Sequence, residues 1–96
     1  MIVKISGDAE ADIAEGYWFY ERQESGLGDY FRACIIADID TLEKLGGIHE
    51  PAYGYQRMLT KRFPFIVYYE VLGDTVIVVA VLDARRDPSW VRRRLL

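Results

Sequence analysis

The sequence predicts an α+β domain: an N-terminal strand, an antiparallel helix hairpin, a three-stranded antiparallel meander and a short C-terminal helix. Two periodicities support this order. Apolar residues recur every three or four positions through the first half of the chain, and every second position from Tyr53 onward. Helices followed by consecutive strands favour two helices packed on one face of a sheet. We therefore expect the other face of the sheet to be partly open.

The length and composition of the chain are those of a single folded domain. Its 96 residues, of which 51% are hydrophobic and 28% charged, form one domain over residues 1–96. Cys34 has no second cysteine to pair with, which favours a reducing compartment. The longest apolar run, Val76 to Leu82, is too short to span a bilayer. We expect a cytoplasmic protein that needs no metal, cofactor or membrane.

The two halves of the chain carry opposite net charge. Residues 1–50 have eleven carboxylates and four Lys or Arg, whereas residues 51–96 have four carboxylates and eight Lys or Arg. Such a separation indicates either two surfaces with different partners or a solvated acidic helical face. The residues alone leave both interpretations open.

The first half predicts a strand and two helices. Ile2 to Ile5 forms the strand, and Ser6 or Asp8 can cap a first helix that runs to about Glu24. We interpret Gly16, inside this helix, as a site of close packing. A second apolar stripe predicts another helix, which ends at Gly46-Gly47. The stripe consists of Leu27, Phe31, Ile35, Ile39, Leu42 and Leu45. Cys34 is expected beside that stripe as a small hydrophobe, and His49 as a loop residue without a role.

The second half predicts three strands. The alternation from Tyr53 places Arg57 and Lys61 on the same side of a strand, about 13 Å apart at about 3.3 Å per residue. Pro64 marks a connection before the strand Phe65 to Leu72. Gly73-Asp74 is a two-residue hairpin signal, and the strand from Thr75 to Leu82 is apolar on both faces and therefore central.

The end of the chain predicts a short basic helix. Asp87 precedes Pro88, so a capping side chain stands before a proline suited to the first helical position. The helix from Pro88 to Arg94 then holds three arginines near its carboxyl end, where the helix dipole favours cations.

Several blocks of residues, in order along nearly the whole chain, resemble the RelE/ParE toxin superfamily, the plasmid-stabilisation type of toxin, and its ParE-like branch in particular. The blocks are Ala9–Ile13, Tyr20-Glu21, Gly26-Leu27-Gly28 with Phe31, Tyr55-Gln56-Arg57, Lys61–Phe65 with Tyr68-Tyr69, Ala80–Leu82, Arg85–Pro88 and Trp90. The resemblance implies a small intracellular toxin that a cognate antitoxin neutralises. It also implies one of two targets, since RelE-like proteins cleave messenger RNA in the ribosome and ParE-like proteins are associated with poisoning DNA gyrase.

The residue types present argue for binding over RNA cleavage. Cleavage requires a base, an acid and cations around the phosphate. If the chain were an RNase, its catalytic residues would be Arg57, Lys61, Arg62, Arg85 and Tyr69. No His lies in the strands or tail, and Asp83 is expected to form an ion pair with Arg85 or a cap beside it. A sequence pI near 5.1 also fits poorly with a nucleic-acid-binding enzyme.

We therefore expect a ParE-like toxin that inhibits growth by binding an essential protein. The expected surface for the target or the antitoxin consists of Arg57, Lys61, Arg62, Arg85, Arg86, Trp90, Arg92 and Arg93. The first alternative is a ribosome-dependent messenger RNA endonuclease. The second is a degenerate toxin that retains only antitoxin binding.

Overall fold

A five-stranded sheet with a helix hairpin on one face forms the domain, in a computed structural model that describes all residues from Met1 to Leu96. The elements are β1 (Ile2–Ile5), α1 (Gly7–Glu21), α2 (Leu27–Asp40), α3 (Leu42–Leu45), β2 (Pro51–Ala52), β3 (Tyr55–Leu59), β4 (Phe65–Leu72), β5 (Thr75–Asp83) and α4 (Pro88–Leu95). The strands lie in the order β1-β5-β4-β3-β2. The α+β class and the antiparallel meander are confirmed. The sheet is mixed, because β1 joins β5 in parallel, and β2 adds a fifth strand.

The start of α1 agrees with the sequence prediction, whereas its end comes earlier. The Ser6 side chain caps the helix by accepting a hydrogen bond from the Ala9 N–H at 3.1 Å. The helix ends at Glu21 instead of Glu24. The Glu21 carboxylate accepts hydrogen bonds from the backbone N–H groups of Gly26 and Gly28, and thereby fixes the turn into α2.

Close packing at Gly16 is confirmed. A Cβ atom at this position would stand 2.6 Å from the ring of Phe31, which is fully buried. The absence of a side chain on α1 therefore lets the Phe31 ring of α2 reach the helix backbone. This contact sets the close approach of the two helices.

The second helix is interrupted, contrary to the single helix predicted from Leu27 to Leu45. α2 ends at Asp40, and α3 starts at Leu42. The Thr41 hydroxyl donates to the Asp38 carbonyl at 2.6 Å, a local bond that competes with regular helical bonding. Leu42 is fully buried, so the apolar stripe continues across the break and conceals it in the sequence.

One face of the sheet, the helix face, carries the larger core. It joins thirteen buried residues. The helices contribute Ala9, Ile13, Phe31, Ile35, Ile39 and Leu42, and the strands contribute Met58, Phe65, Val67, Tyr69, Val76, Val78 and Val81. The rings of Tyr20, Phe63 and Phe65 surround Phe31 at centroid distances of 5.1, 5.1 and 4.9 Å. This aromatic cluster closes one end of the helix face.

The opposite face, the tail face, carries a smaller core under α4. Its six buried residues are Ile66, Tyr68, Ala80, Leu82, Val91 and Leu95, the last two from α4. α4 therefore covers β4 and β5. On β3 the side chains of Arg57 and Leu59 remain exposed, so the tail face is partly open as predicted.

A β-bulge shapes β5. Tyr68 pairs with Ala80 and Tyr69 with Val78, so Val79 has no partner on β4. Val78 and Val81 consequently both face the helices, whereas Val79 and Ala80 both contact the tail-face core. β5 lies between β1 and β4, which confirms its predicted central position.

The two-residue turns between β2 and β3 and between β4 and β5 both use residues with positive φ. Gly73 has a φ of 60°, which confirms the predicted turn between β4 and β5. Tyr53 and Gly54 have φ values of 57° and 84° and connect β2 to β3. The strand predicted to start at Tyr53 therefore starts at Tyr55.

α4 begins as predicted at Pro88, with Asp87 as its cap, and extends to Leu95. No helix of the structure has the length and apolar character needed to cross a membrane.

Candidate binding site

Arg57 lies on the open part of the tail face. It pairs with Tyr68 across β3 and β4, and the Tyr68 side chain is buried. Burial raises the pKa of Tyr68, although a hydrogen bond from Arg57 acts in the opposite direction. The ring of Tyr53 lies 6.3 Å from the Tyr68 ring, in a T-shaped arrangement. An exposed guanidinium group thus stands beside a phenol that stays protonated at neutral pH.

Lys61 and Arg62 lie in the loop after β3, not on the strand. The chain turns at Thr60, whose hydroxyl donates to the Phe63 carbonyl at 2.7 Å. The Lys61 N–H donates to the Asp38 carboxylate of α2 at 2.9 Å. The expectation that Arg57 and Lys61 project from one strand face is therefore wrong. Both loop cations have exposed side chains.

The expected ion pair between Asp83 and Arg85 is confirmed. The Arg85 Nε and Nη2 atoms donate to the two oxygens of Asp83 at 3.0 and 2.7 Å. The hydrogen bonds from Arg85 are the main reason that the pKa of Asp83 is lowered. Asp83 therefore stays ionised at neutral pH and is a weaker base than an unperturbed aspartate.

The remaining expected residues lie along α4 and the turn before it. The Arg86 guanidinium stands 4.0 Å from the centre of the Trp90 ring and reaches Glu15 of α1 at 3.4 Å. Arg92 and Arg93 are exposed on α4.

Tyr69 lies on the helix face, on the opposite side of the sheet from Arg57. Its hydroxyl accepts a hydrogen bond from the Gly47 N–H at 3.0 Å and donates to Gln56 Oε1 at 3.3 Å. His49 Nδ1 also bonds to this hydroxyl. His49, for which no role was predicted, thus helps to tie its loop to the sheet.

One polar interaction near the tail was missed by the sequence prediction. Arg94 pairs with Asp12 at 2.8 Å, and the same Asp12 oxygen accepts a hydrogen bond from the Val81 N–H at 3.0 Å. Both side chains of the pair are mostly buried, with exposures of 24% and 15%. Burial raises the pKa of Asp12, and Arg94 opposes that increase. The two residues are 82 positions apart, so no local pattern could reveal the pair.

The expected residues therefore occupy separate positions and do not form one cluster. Arg57 lies on the sheet, Lys61 and Arg62 in a loop, and Arg85, Arg86 and Trp90 beside α1. The structure contains no group of three or more His, Cys, Asp or Glu side chains arranged to hold a metal ion.

Comparison with known families decides the assignment. A family model described as the ParE toxin of the type II toxin-antitoxin system, parDE, matches residues 3–88. The chain belongs to the ParE toxin family. The resemblance seen in its sequence blocks is thereby confirmed, and the class is that of type II toxins.

A solved structure shows the same fold in a relative of low sequence identity. The chromosomal ParDE toxin-antitoxin system from P. aeruginosa aligns with this ParE-family chain at a TM-score of 0.74 and 16% identity. The alignment covers 88% of this chain and 97% of the other. No curated protein matches the sequence.

Proposed function

We propose that this ParE-family protein inhibits growth by binding DNA gyrase, and that a cognate antitoxin neutralises it. The observation that carries the proposal is the protonation of the side chains beside the exposed cations. Arg57 stands beside a protonated phenol, and Arg85 holds Asp83 ionised. Arg57, Lys61 and Arg62 are exposed and form no ion pair, so they suit the docking of an acidic protein surface, whose carboxylates they attract without any proton transfer.

A proton-transfer mechanism has weaker support. The single His is engaged with Tyr69 on the helix face, away from Arg57. The pKa of Asp83 is lowered, which reduces its strength as a base.

A ribosome-dependent endonuclease remains the second candidate because Tyr68 could protonate a leaving oxygen. The phenol is protonated at neutral pH, and Arg57, its cross-strand neighbour, is an exposed cation of the kind that stabilises a phosphate. Lys61, Arg62 and Arg85 would supply further phosphate contacts.

Expression of the chain without a partner separates the candidates. The gyrase proposal predicts growth arrest, induction of the DNA damage response and inhibition of supercoiling by purified gyrase. Cleaved transcripts with intact supercoiling would instead establish the endonuclease. Soluble, folded protein without any growth defect would indicate a degenerate toxin that only binds its antitoxin.

The site itself is tested by Arg57→Ala and Arg85→Ala. Both side chains are exposed, so we expect toxicity to fall while the free energy of unfolding changes by less than about 1 kcal/mol. Lys44→Ala, an exposed cation on α3, serves as the control and should leave toxicity unchanged. Full toxicity in both arginine variants would show that the site lies elsewhere.

A further inference from the structure

A cleft separates α1 from the end of β5 and from α4. Its volume is about 570 Å³, within the range of roughly 300–1,000 Å³ typical of ligand sites. Phe65, Val81 and Leu82 are apolar residues of the strands that line it. The sequence prediction did not include this feature, because α1 and α4 are brought together only by the tertiary fold.

Two aromatic side chains stand on opposite sides of this cleft. Phe19 of α1 is 48% exposed, and Trp90 of α4 lies under the Arg86 guanidinium. Both residues line the cleft. A large apolar side chain between them would bury surface that is now in contact with water, and aromatic residues of this kind commonly dominate binding energy.

The polar lining favours a ligand that carries carboxylates. Four arginines line the cleft against three carboxylates, an excess of one positive charge. Arg22 forms no ion pair. The pair between Arg86 and Glu15 is long at 3.4 Å, and Glu15 is 76% exposed, so a ligand can displace it at little cost.

Two features favour a peptide over a nucleic acid. Asp12, Glu15 and Asp83 also line the cleft, and they would repel the continuous charge of a phosphate backbone more strongly than a few separated carboxylates of a peptide. The whole chain has a net charge of -3, which opposes binding of a polyanion. A peptide can instead alternate single carboxylates with apolar side chains.

The walls of the cleft are preformed. The pair between Arg94 and Asp12 connects α4 to α1, and Asp12 also bonds to Val81 of β5. Three of the elements that line the cleft, α1, β5 and α4, are thus connected to one another before any ligand arrives. Because a preformed cleft loses little conformational entropy on binding, more of the interaction free energy contributes to affinity.

We propose that this cleft binds an acidic segment of the cognate antitoxin. A large apolar side chain of that segment lies between Phe19 and Trp90, and its carboxylates contact Arg22 and Arg86. The inference rests on the proposed function, because it requires a cognate antitoxin.

The test uses the protein encoded by the reading frame adjacent to that of this chain, purified and titrated by calorimetry. Phe19→Ala should weaken its binding by about 30-fold, since the side chain is a central apolar contact. Trp18→Ala is the matched control: Trp18 is the next residue, is 55% exposed and does not line the cleft. It should leave affinity unchanged within about threefold.

Charge reversal provides a second pair of variants. Arg22→Glu should weaken binding by about tenfold at low salt and by less at high salt, because exposed charge pairs are screened. Lys4→Glu on β1 reverses an exposed charge outside the cleft and should have no such effect. Circular dichroism of each variant checks that the fold is retained.

Tryptophan fluorescence locates the contact directly, because the chain has only two tryptophans. In the Trp18→Phe variant only Trp90 emits, and binding should shift its emission. In the Trp90→Phe variant the emission of Trp18 should not change. A single-stranded oligothymidylate should shift neither.

Three results would overturn the proposal. If the adjacent protein binds but Phe19→Ala behaves like Trp18→Ala, the antitoxin uses another surface and the proposed function stands. If it does not bind the wild-type chain at all, both the cleft assignment and the antitoxin proposal fail. If the oligonucleotide shifts Trp90 emission and the adjacent protein does not, the cleft is a nucleic-acid site.

Discussion

The two faces of the sheet differ in how they are covered and in what they expose. On the helix face, the sheet and the helices together bury thirteen residues, and an aromatic cluster closes one end. On the tail face, the sheet and α4, an eight-residue helix, together bury six residues. A helix this short is not stable alone in water, so its packing on the tail face maintains it. The comparison shows that the larger core lies on the helix face, whereas part of the tail face, including Arg57, stays exposed.

The largest effect is expected from removing the central ring of the helix face. Phe31→Ala should lower the free energy of unfolding by about 3–5 kcal/mol, since a fully buried aromatic is lost. Leu95→Ala on the tail face should cost about 2 kcal/mol, because the end of α4 can relax around the cavity. Urea denaturation monitored by circular dichroism measures both values. Equal losses of unfolding free energy in the two variants would contradict the larger contribution of the helix face to stability.

The second-largest loss of unfolding free energy is expected from overpacking the helix face. Gly16→Ala places a Cβ atom 2.6 Å from the Phe31 ring and should cost about 1–3 kcal/mol. Gly7→Ala is the control, since no atom lies within 4 Å of a Cβ at that position. It should leave thermal stability unchanged or slightly higher. A neutral Gly16→Ala would mean that Phe31 moves freely.

The connection between α1 and α4 should contribute less. Arg94→Gln should cost about 1–2 kcal/mol, because it leaves the mostly buried Asp12 carboxylate without its cation. Arg93→Gln, at the exposed neighbouring position, should cost less than about 0.5 kcal/mol. The loss in Arg94→Gln should shrink as pH falls through the raised pKa of Asp12, since the protonated carboxyl needs no cation. Equal losses in both variants at neutral pH would exclude a specific pair.

The smallest effect concerns His49 and pH. Burial lowers the pKa of His49 below its ordinary value of 6.5, so the folded state binds the proton less well than the unfolded state. Its contribution to stability is therefore present above pH 6.5 and is lost as pH falls through the lowered folded-state pKa. The melting temperature of the wild type should decline more than that of His49→Gln as pH falls below 6.5. Parallel curves would contradict this coupling.

The spacing of apolar residues predicted the fold correctly where buried and exposed side chains alternate regularly along an element. The alternation from Tyr53 predicted a strand that carries Arg57, and Arg57 lies on β3 with an exposed side chain. It failed at Lys61, because the side-chain bonds of Thr60 turn the chain there. The break at Thr41 was hidden for a related reason, since a local hydroxyl bond interrupts the helix without disturbing its apolar stripe.

The candidate site was less predictable than the fold. The run from Val76 to Leu82 is apolar on both faces, so the bulge at Val79 leaves no mark in the alternation. Charge counts located the cations of the tail but could not pair Arg94 with Asp12, because that contact depends on how α4 lies against α1. The sequence thus shows which charged residues the tail contains, whereas only the tertiary structure shows which of them form ion pairs.

The parallel pairing of β1 with β5 has a consequence for synthesis of the toxin. Ile2 to Ile5 pairs with Thr75 to Val78, so the first strand has no partner until the last strand has left the ribosome. β4 likewise lacks one of its two neighbours until then. A chain that terminates before Thr75 cannot complete the sheet and exposes unpaired strand edges, the usual targets of aggregation and proteolysis. Translation that stops before Thr75 therefore yields no folded toxin.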